Sequence, residues 1–344
     1  MANLQSYFTS FHDAIKLDYD DNKELRDKRD ELLEILKENM PSDAGSFSIF
    51  HQGSYAMHTG IKSLDRGDYD IDVGLLFSIS NVDYPNPVTV KKWVYDALKK
   101  KYENVEMKQP CVSVKFEGEG ERNYHVDFAV YADSDDDNDT FLARGKLSSN
   151  AENRCWEESD PKTLVNDIKN HLSDSKDREQ FRRTIRYLKR WKDYKFKGQV
   201  NRPTGIGLTV AALTHFQAKS THDWFSNTKM YNDLEALENF AQNMLNAFVW
   251  VMSEKGEWEQ RLRVYLPTPP YNDIYAKMTG NQMIDFKEKL DCLLEKIQKA
   301  KNETDPVAAC KLLEEEFGDD FPVPEESATA QKRGPAILAD HSSA

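Results

Sequence analysis

The stretch that most restricts the fold runs from His51 to Phe77 and reads HQGSYAMHTGIKSLDRGDYDIDVGLLF. Alternate residues of a strand share a face, so Asp70 and Asp72 point one way, roughly 7 Å apart along the backbone. Ile71, Val73, Leu75 and Phe77 then point the other way, into a core. Two exposed carboxylates side by side repel each other, and a bound divalent cation relieves that repulsion. Upstream, Gly53-Ser54 lets the backbone approach a phosphate closely, and the helix start that follows offers N–H groups to it. A phosphate clamp followed by metal carboxylates suggests nucleotidyl transfer. The bland reading of an isolated Asp-x-Asp is an acidic turn or a solvated strand edge.

The Gly-Ser pair followed by an Asp-x-Asp strand resembles the signature of the DNA polymerase β-like nucleotidyltransferases. Within that superfamily, GSYAMHTGIKS followed by DYDIDVG is similar to the cGAS/DncV-like branch (CD-NTases), the bacterial cyclic-oligonucleotide synthases of CBASS anti-phage signalling. The resemblance implies an α+β fold: a mixed-sheet nucleotidyltransferase palm packed on a C-terminal helical domain, with an N-terminal spine helix. It also implies a third carboxylate on a neighbouring strand, and Asp127 in NYHVDFAVYA fits. Val126, Phe128 and Val130 point inward there, which leaves Asp127 on the opposite face with His125 and Ala129. The implied cofactor is a pair of Mg²⁺ ions, with Mn²⁺ as a substitute. Hard oxygen ligands suit them, Asp70 and Asp72 serving both ions and Asp127 the one that activates the attacking hydroxyl. Asp68 competes, because Asp68-Tyr69-Asp70 is also an Asp-x-Asp pair; the apolar alternation favours 70 and 72.

Gln52, Gly53 and Ser54 are the nucleotide-binding candidates of the turn. A second set comes from DREQFRRTIRYLKRWKDYKFK, where nine Lys or Arg face three acids between Asp177 and Lys197. Phe181, Ile185, Leu188 and Trp191 trace its apolar face and leave Arg183, Arg186 and Arg190 on another. Related enzymes use a basic residue here and a Ser or Thr at the next helix start. In register those are Arg183 and Thr204, with Arg186 and Lys189 as alternatives. Tyr187, Tyr55 and Trp191 are aromatics that could stack on a purine, although core packing is the commoner role.

The formal net charge of −13 disfavours a large nucleic-acid interface, because phosphate neutralisation needs surplus Lys and Arg. Four scattered cysteines with no CxxC argue against a disulfide scaffold and a structural zinc site, and fit a reducing cytoplasm. No apolar run reaches membrane-spanning length. The acidic DSDDDND run from Asp133 to Asp139 lacks the Gly and Glu of a calcium loop and reads as a solvated loop.

The expected organisation is a nucleotidyltransferase core with its spine helix over 1–160, a helical domain completing the nucleotide pocket over 161–318, and a mobile tail over 319–344. In the helical domain the pattern predicts helices at 177–197, 206–219, 230–252, 281–301 and 305–317. The implied substrates are ATP and a second nucleotide such as GTP. The implied partner is a regulatory protein of the same defence system, or one that conjugates the C-terminus. The alternatives are a linear polymerising enzyme similar to oligoadenylate synthases and a catalytically silent nucleotide-binding or antitoxin-like module.

Overall fold

The computed structural model describes residues 2–17, 23–64, 69–117, 123–133, 139–223 and 228–326 of the 344. The first half of the chain runs α1 (Gln5–Ile15), α2 (Lys23–Asn39), β1 (Phe47–His51), α3 (Gly53–Ala56), β2 (Tyr69–Ser80), α4 (Pro87–Lys99), β3 (Val105–Met107), β4 (Val112–Glu117), β5 (Asn123–Asp133), β6 (Thr140–Arg144) and β7 (Cys155–Glu158). The strands form one mixed sheet in the order β1-β2-β5-β4-β3, and β6 extends it from the far end of β5 with β7 at its edge. Among the described residues, only β2 and β5 pair in parallel. Parallel neighbours need a crossover, and α4 begins that connection, its N-terminus capped by Asn86 with Pro87 in the first turn.

Alternation along β2 and β5 works as the sequence indicates. Ile71, Val73, Leu75 and Phe77 are buried with Val126, Phe128 and Val130, and α2 and α4 cover that face through Leu32, Leu36, Val90 and Val94. The opposite face is open at the start of the two strands and closed further along, where the Phe50 ring lies over Gly74. A Cβ at Gly74 would stand 2.1 Å from that ring.

The second half runs α5 (Pro161–Asn170), α6 (Ser175–Lys195), α7 (Gly205–His215), the hairpin β8 (Ser220–Asp223) and β9 (Thr228–Tyr231), α8 (Asp233–Asn246), the hairpin β10 (Val249–Met252) and β11 (Trp258–Arg261), α9 (Gly280–Asn302) and α10 (Pro306–Phe317). Its core is centred on α6, whose Phe181, Ile185, Tyr187, Leu188 and Trp191 are fully buried. Asp160 caps α5 by accepting from the Thr163 N–H, with Pro161 in the first turn, as expected.

Three expectations are corrected. The predicted helix over 230–252 is shorter, because Tyr231 belongs to β9 and Val249–Met252 to β10. A continuous apolar run such as Val249-Trp250-Val251 satisfies strand and helix alike. The helix α1 does not share the core of the sheet: Leu4, Phe8, Phe11 and Ile15 are buried in the helical core, where Phe11 stacks on Tyr187 at 5.3 Å. The tail does not begin at 319, since Phe321 is buried against Phe8 and Phe11 and Asp320 pairs with Arg190. Residues 327–344, most of the acidic run (134–138) and Asp68 lie outside the described residues. Among the described residues, no helix is long and apolar enough to cross a membrane.

Candidate active site

Parallel pairing of β2 with β5 puts Asp72 directly opposite Asp127 and Asp70 opposite His125. One ligand atom each from Asp70, His125 and Asp127 lie within 4.8 Å of one another. Asp127 therefore faces the open side of the sheet beside the other two acids and not the core. Asp70 is exposed, whereas Asp127 retains 17% of its side-chain surface.

Asp72 sits deepest. Burial and the neighbouring Asp70 and Asp127 push its carboxyl up to about 7, against the pull of His125 and Lys108. Two residues that the sequence did not single out for this role share the negative charge. Lys108, at the end of β3, reaches the two Asp127 oxygens at 3.3 and 3.2 Å. His125 Nε2 contacts Asp70 Oδ1 and lies 3.8 Å from Asp127 Oδ2. The hydrogen bond that His125 donates to Asp70 raises the His125 pKa against the effect of burial. A strand-periodicity argument does place His125 on this face; only the register with β2 gives it Asp70 as neighbour.

The short helix α3 roofs this cluster. Its first residue, Gly53, has φ +66, and a Cβ there would meet Asp72 Oδ2 at 1.9 Å. Glycine is required at this position both by conformation and by the close approach of the carboxylate. Gly53→Ala is expected to displace the Asp72 carboxylate and to lower nucleotidyl-transfer activity by about 100-fold or more, the usual result of misplacing a reacting group by an ångström. Activity assays beside circular dichroism check this; unchanged turnover would mean that the contact is irrelevant. Gln52 accepts from the Tyr131 hydroxyl at 2.8 Å, which fixes the entry to α3.

Gln52, Gly53, Ser54, Asp70 and Asp72 line one side of a cleft of about 480 Å³. The opposing wall comes from the helical half: Lys189, Lys192 and Asp193 of α6, and Gly205, Ile206 and Thr209 of α7. Lys189 is buried and donates to Thr59 O at 3.0 Å and Thr59 Oγ1 at 2.9 Å. Burial, then Lys192 and Arg186, pulls its pKa down to about 7. The cleft thus has Asp70 and Asp72 on one side and two lysines on the other, where Lys192 is paired with Asp193 at 2.7 Å.

The remaining basic candidates stand elsewhere. Arg183 forms a two-pronged pair with the fully buried Asp233, at 2.7 and 2.8 Å. Arg186 donates to Gly60 O at 3.1 Å and His58 O at 2.6 Å. Both line a neighbouring cavity and not the cleft. The face of α6 expected to meet phosphate in solvent is packed instead on residues 58–62. Carbonyls of that irregular segment take their donors from Arg186, Lys189 and Arg190. Thr204 caps α7 by accepting from the Gly207 N–H, so Gly205 and Ile206, not Thr204, reach the cleft. Tyr187 and Trp191 are core residues, and Tyr55 faces the neighbouring cavity.

The donor set suits a small hard cation: carboxylates from two adjacent strands converge, with their mutual repulsion only partly offset by Lys108 and His125. Opposite them, a backbone turn and two lysines are placed for phosphate oxygens.

Comparison with known proteins agrees with this geometry. Residues 47–131, which hold β1 to β5 with α3 and α4, match the family model described as "Cyclic GMP-AMP synthase DncV-like, nucleotidyltransferase domain". A cyclic GMP-AMP synthase of Escherichia albertii is 30% identical over 206 residues, which span 57% of this chain and 43% of that protein. The match thus spans less than half the length of that relative. The structure of E. coli MS115-1 CdnC with ATP superposes with a TM-score of 0.67 at 17% identity, covering 93% of this chain and 99% of the other. Vibrio cholerae DncV, a cyclic AMP-GMP synthase described as a prokaryotic cGAS homolog, gives 0.64 at 18% identity over 93% and 97%. These two show the same fold.

Proposed function

We propose that the chain is a nucleotidyltransferase that joins ATP and a second nucleoside triphosphate, GTP in the first instance, into a cyclic di- or trinucleotide second messenger for anti-phage defence. The observation that carries this reading is the convergence of Asp70, Asp72 and Asp127 on one face of the β2–β5 pair, beneath the Gly53-Ser54 turn. A binding module has no need of three mutually repelling carboxylates. A linear polymerising enzyme needs a basic track for its primer, and the net charge of −13 argues against one.

Asp70, Asp72 and Asp127 would hold two Mg²⁺ ions. When bound, the metal supplies charge stabilisation at the α-phosphate and lowers the pKa of the attacking hydroxyl. The rest falls to the chain's own groups. Ser54 and the first turn of α3 bind the β- and γ-phosphates from one side, Lys189 and Lys192 from the other. Asp72, held against Gly53, keeps the acids in register with the phosphates. Lys108 and His125 compensate the acids between turnovers and give way to metal.

The test is product identity. The protein is incubated with labelled ATP, GTP, CTP and UTP in Mg²⁺, treated with phosphatase and chromatographed. Phosphatase-resistant small products are expected; ladders on an added RNA primer would instead identify a linear polymerase.

Lys189 gives this reading a pH signature. Its free-state pKa of about 7 lies below the ordinary lysine value, so at pH 8 the amine is largely neutral. A phosphate beside it favours the charged form and raises the pKa. Metal-free ATP binding at pH 8 is therefore expected to take up a proton. Calorimetry in two buffers of different ionisation enthalpy measures this. Uptake that persists in Lys189→Met would assign the proton to another group.

A further inference from the structure

On the far side of α3 from the cleft lies a larger cavity, of about 840 Å³, for which the proposed reaction has no use. Five cations line it: Lys16 after α1, Lys169 of α5, and Arg182, Arg183 and Arg186 of α6. Glu179 is the one carboxylate among the lining residues, and it pairs with Lys176 at 3.1 Å. Such a concentration of positive charge is out of keeping with a chain of net charge −13. A concave wall of one sign focuses the field on whatever enters.

The cations are not all consumed by the fold. Arg183 is neutralised by Asp233, and Arg186 is held on backbone carbonyls. Arg182 and Lys169, by contrast, form no ion pair among the described residues. The Arg182 Nε is buried without a hydrogen-bond partner, and one of its Nη groups has only a 3.4 Å contact with Lys169 O. The His12 ring is pushed down to about 4 by burial and then by Arg186 and Arg183.

We propose that this cavity is a second binding site, for a compact polyphosphate ligand of nucleotide size, and that its occupancy reaches the metal cleft through α3. Several guanidinium and ammonium groups converging from three elements match a ligand with several charged oxygens. The volume is ample for a nucleotide-sized molecule and exceeds that of the cleft. The cations surround a hollow and do not form the extended row that a nucleic-acid backbone requires. Transmission has a short path. Gly53 and Ser54 face the cleft while Tyr55 and Ala56 face the cavity, on a single turn of helix. Arg186, in the cavity wall, grips the carbonyl of His58 just beyond that turn.

The test measures inorganic tripolyphosphate binding by calorimetry in EDTA, with no turnover, so it stands whether or not the chain is a synthase. Full-length wild-type protein is expected to show a binding component that persists in the cleft variant Lys192→Ala, which weakens only binding in the cleft. Arg182→Ala combined with Lys169→Ala is expected to weaken binding at least about tenfold, the loss typical of a charged hydrogen bond. Should the double variant melt early, Lys169→Glu alone carries the same expectation. Hydrogen exchange at residues 53–58 should slow on addition of tripolyphosphate to the wild type and not to the double variant. Equal binding by wild type and double variant, or no binding by the wild type, overturns the site. Unchanged exchange at 53–58 on binding overturns the coupling. Binding of double-stranded RNA in place of tripolyphosphate, lost in the same variants, overturns the choice of ligand.

Discussion

Asp72→Asn is expected to lower product formation by about three orders of magnitude or more while raising the stability of the metal-free protein. Loss of one metal ligand removes several kcal/mol of charge stabilisation from the transition state, and each 1.4 kcal/mol is about a tenfold loss in rate. Stability moves the other way because Asp72 is held at a cost. Its carboxyl is raised from 3.8 to about 7 by burial, Asp70 and Asp127. Between those two values the folded protein binds a proton that the unfolded chain does not. Stability therefore falls as pH rises through that window. Asn carries no charge, so the fall disappears and the melting temperature at pH 8 increases. Product chromatography paired with melting curves at pH 5 and pH 8 checks both halves. Lost activity with lowered stability would make Asp72 an ordinary structural residue.

Arg183→Ala should act in the opposite sense, on folding and not on chemistry. Asp233 has no exposed side-chain surface and is held by Arg183, Gln180 and Tyr187. Burial alone would raise its pKa, yet the Arg183 guanidinium and these hydrogen bonds bring it below the ordinary carboxylate value. Deleting the cation leaves a buried carboxylate with two neutral donors, which costs about 3 kcal/mol or more. Denaturant unfolding should show a markedly lower midpoint. The residual folded fraction should turn over nucleotides at close to the normal specific rate. A wild-type midpoint with lost nucleotide affinity would restore Arg183 to the phosphate site.

Arg183 and Lys189 also mark where the sequence stops being informative. The carboxylates can be read directly, because strand alternation fixes the face of Asp70, Asp72 and Asp127 once the apolar residues between them are buried. The Gly53-Ser54 turn can be read for a similar reason: only a glycine tolerates both the positive φ and the Asp72 contact. On α6, by contrast, cations occupy every direction that the apolar stripe leaves. Which of them meets the cleft depends on how α6 is rotated against residues 58–62. That rotation is set by carbonyls contributed from more than a hundred residues away. The role of His125 has the same origin, since its contact with Asp70 exists only through the β2–β5 register. Composition within α1 likewise gives no sign that Phe8 and Phe11 pack on Tyr187 and not on the sheet that follows.

The most direct test of the central claim is where a divalent metal binds. Crystals grown with Mn²⁺ and a non-hydrolysable ATP analogue should show anomalous peaks about 2.1 Å from carboxylate oxygens of Asp70, Asp72 and Asp127. His125 and Lys108 should have moved off those oxygens, and the triphosphate should lie between Ser54 and Lys189. Peaks elsewhere, or a bound nucleotide with His125 and Lys108 still on Asp70 and Asp127, would contradict the account.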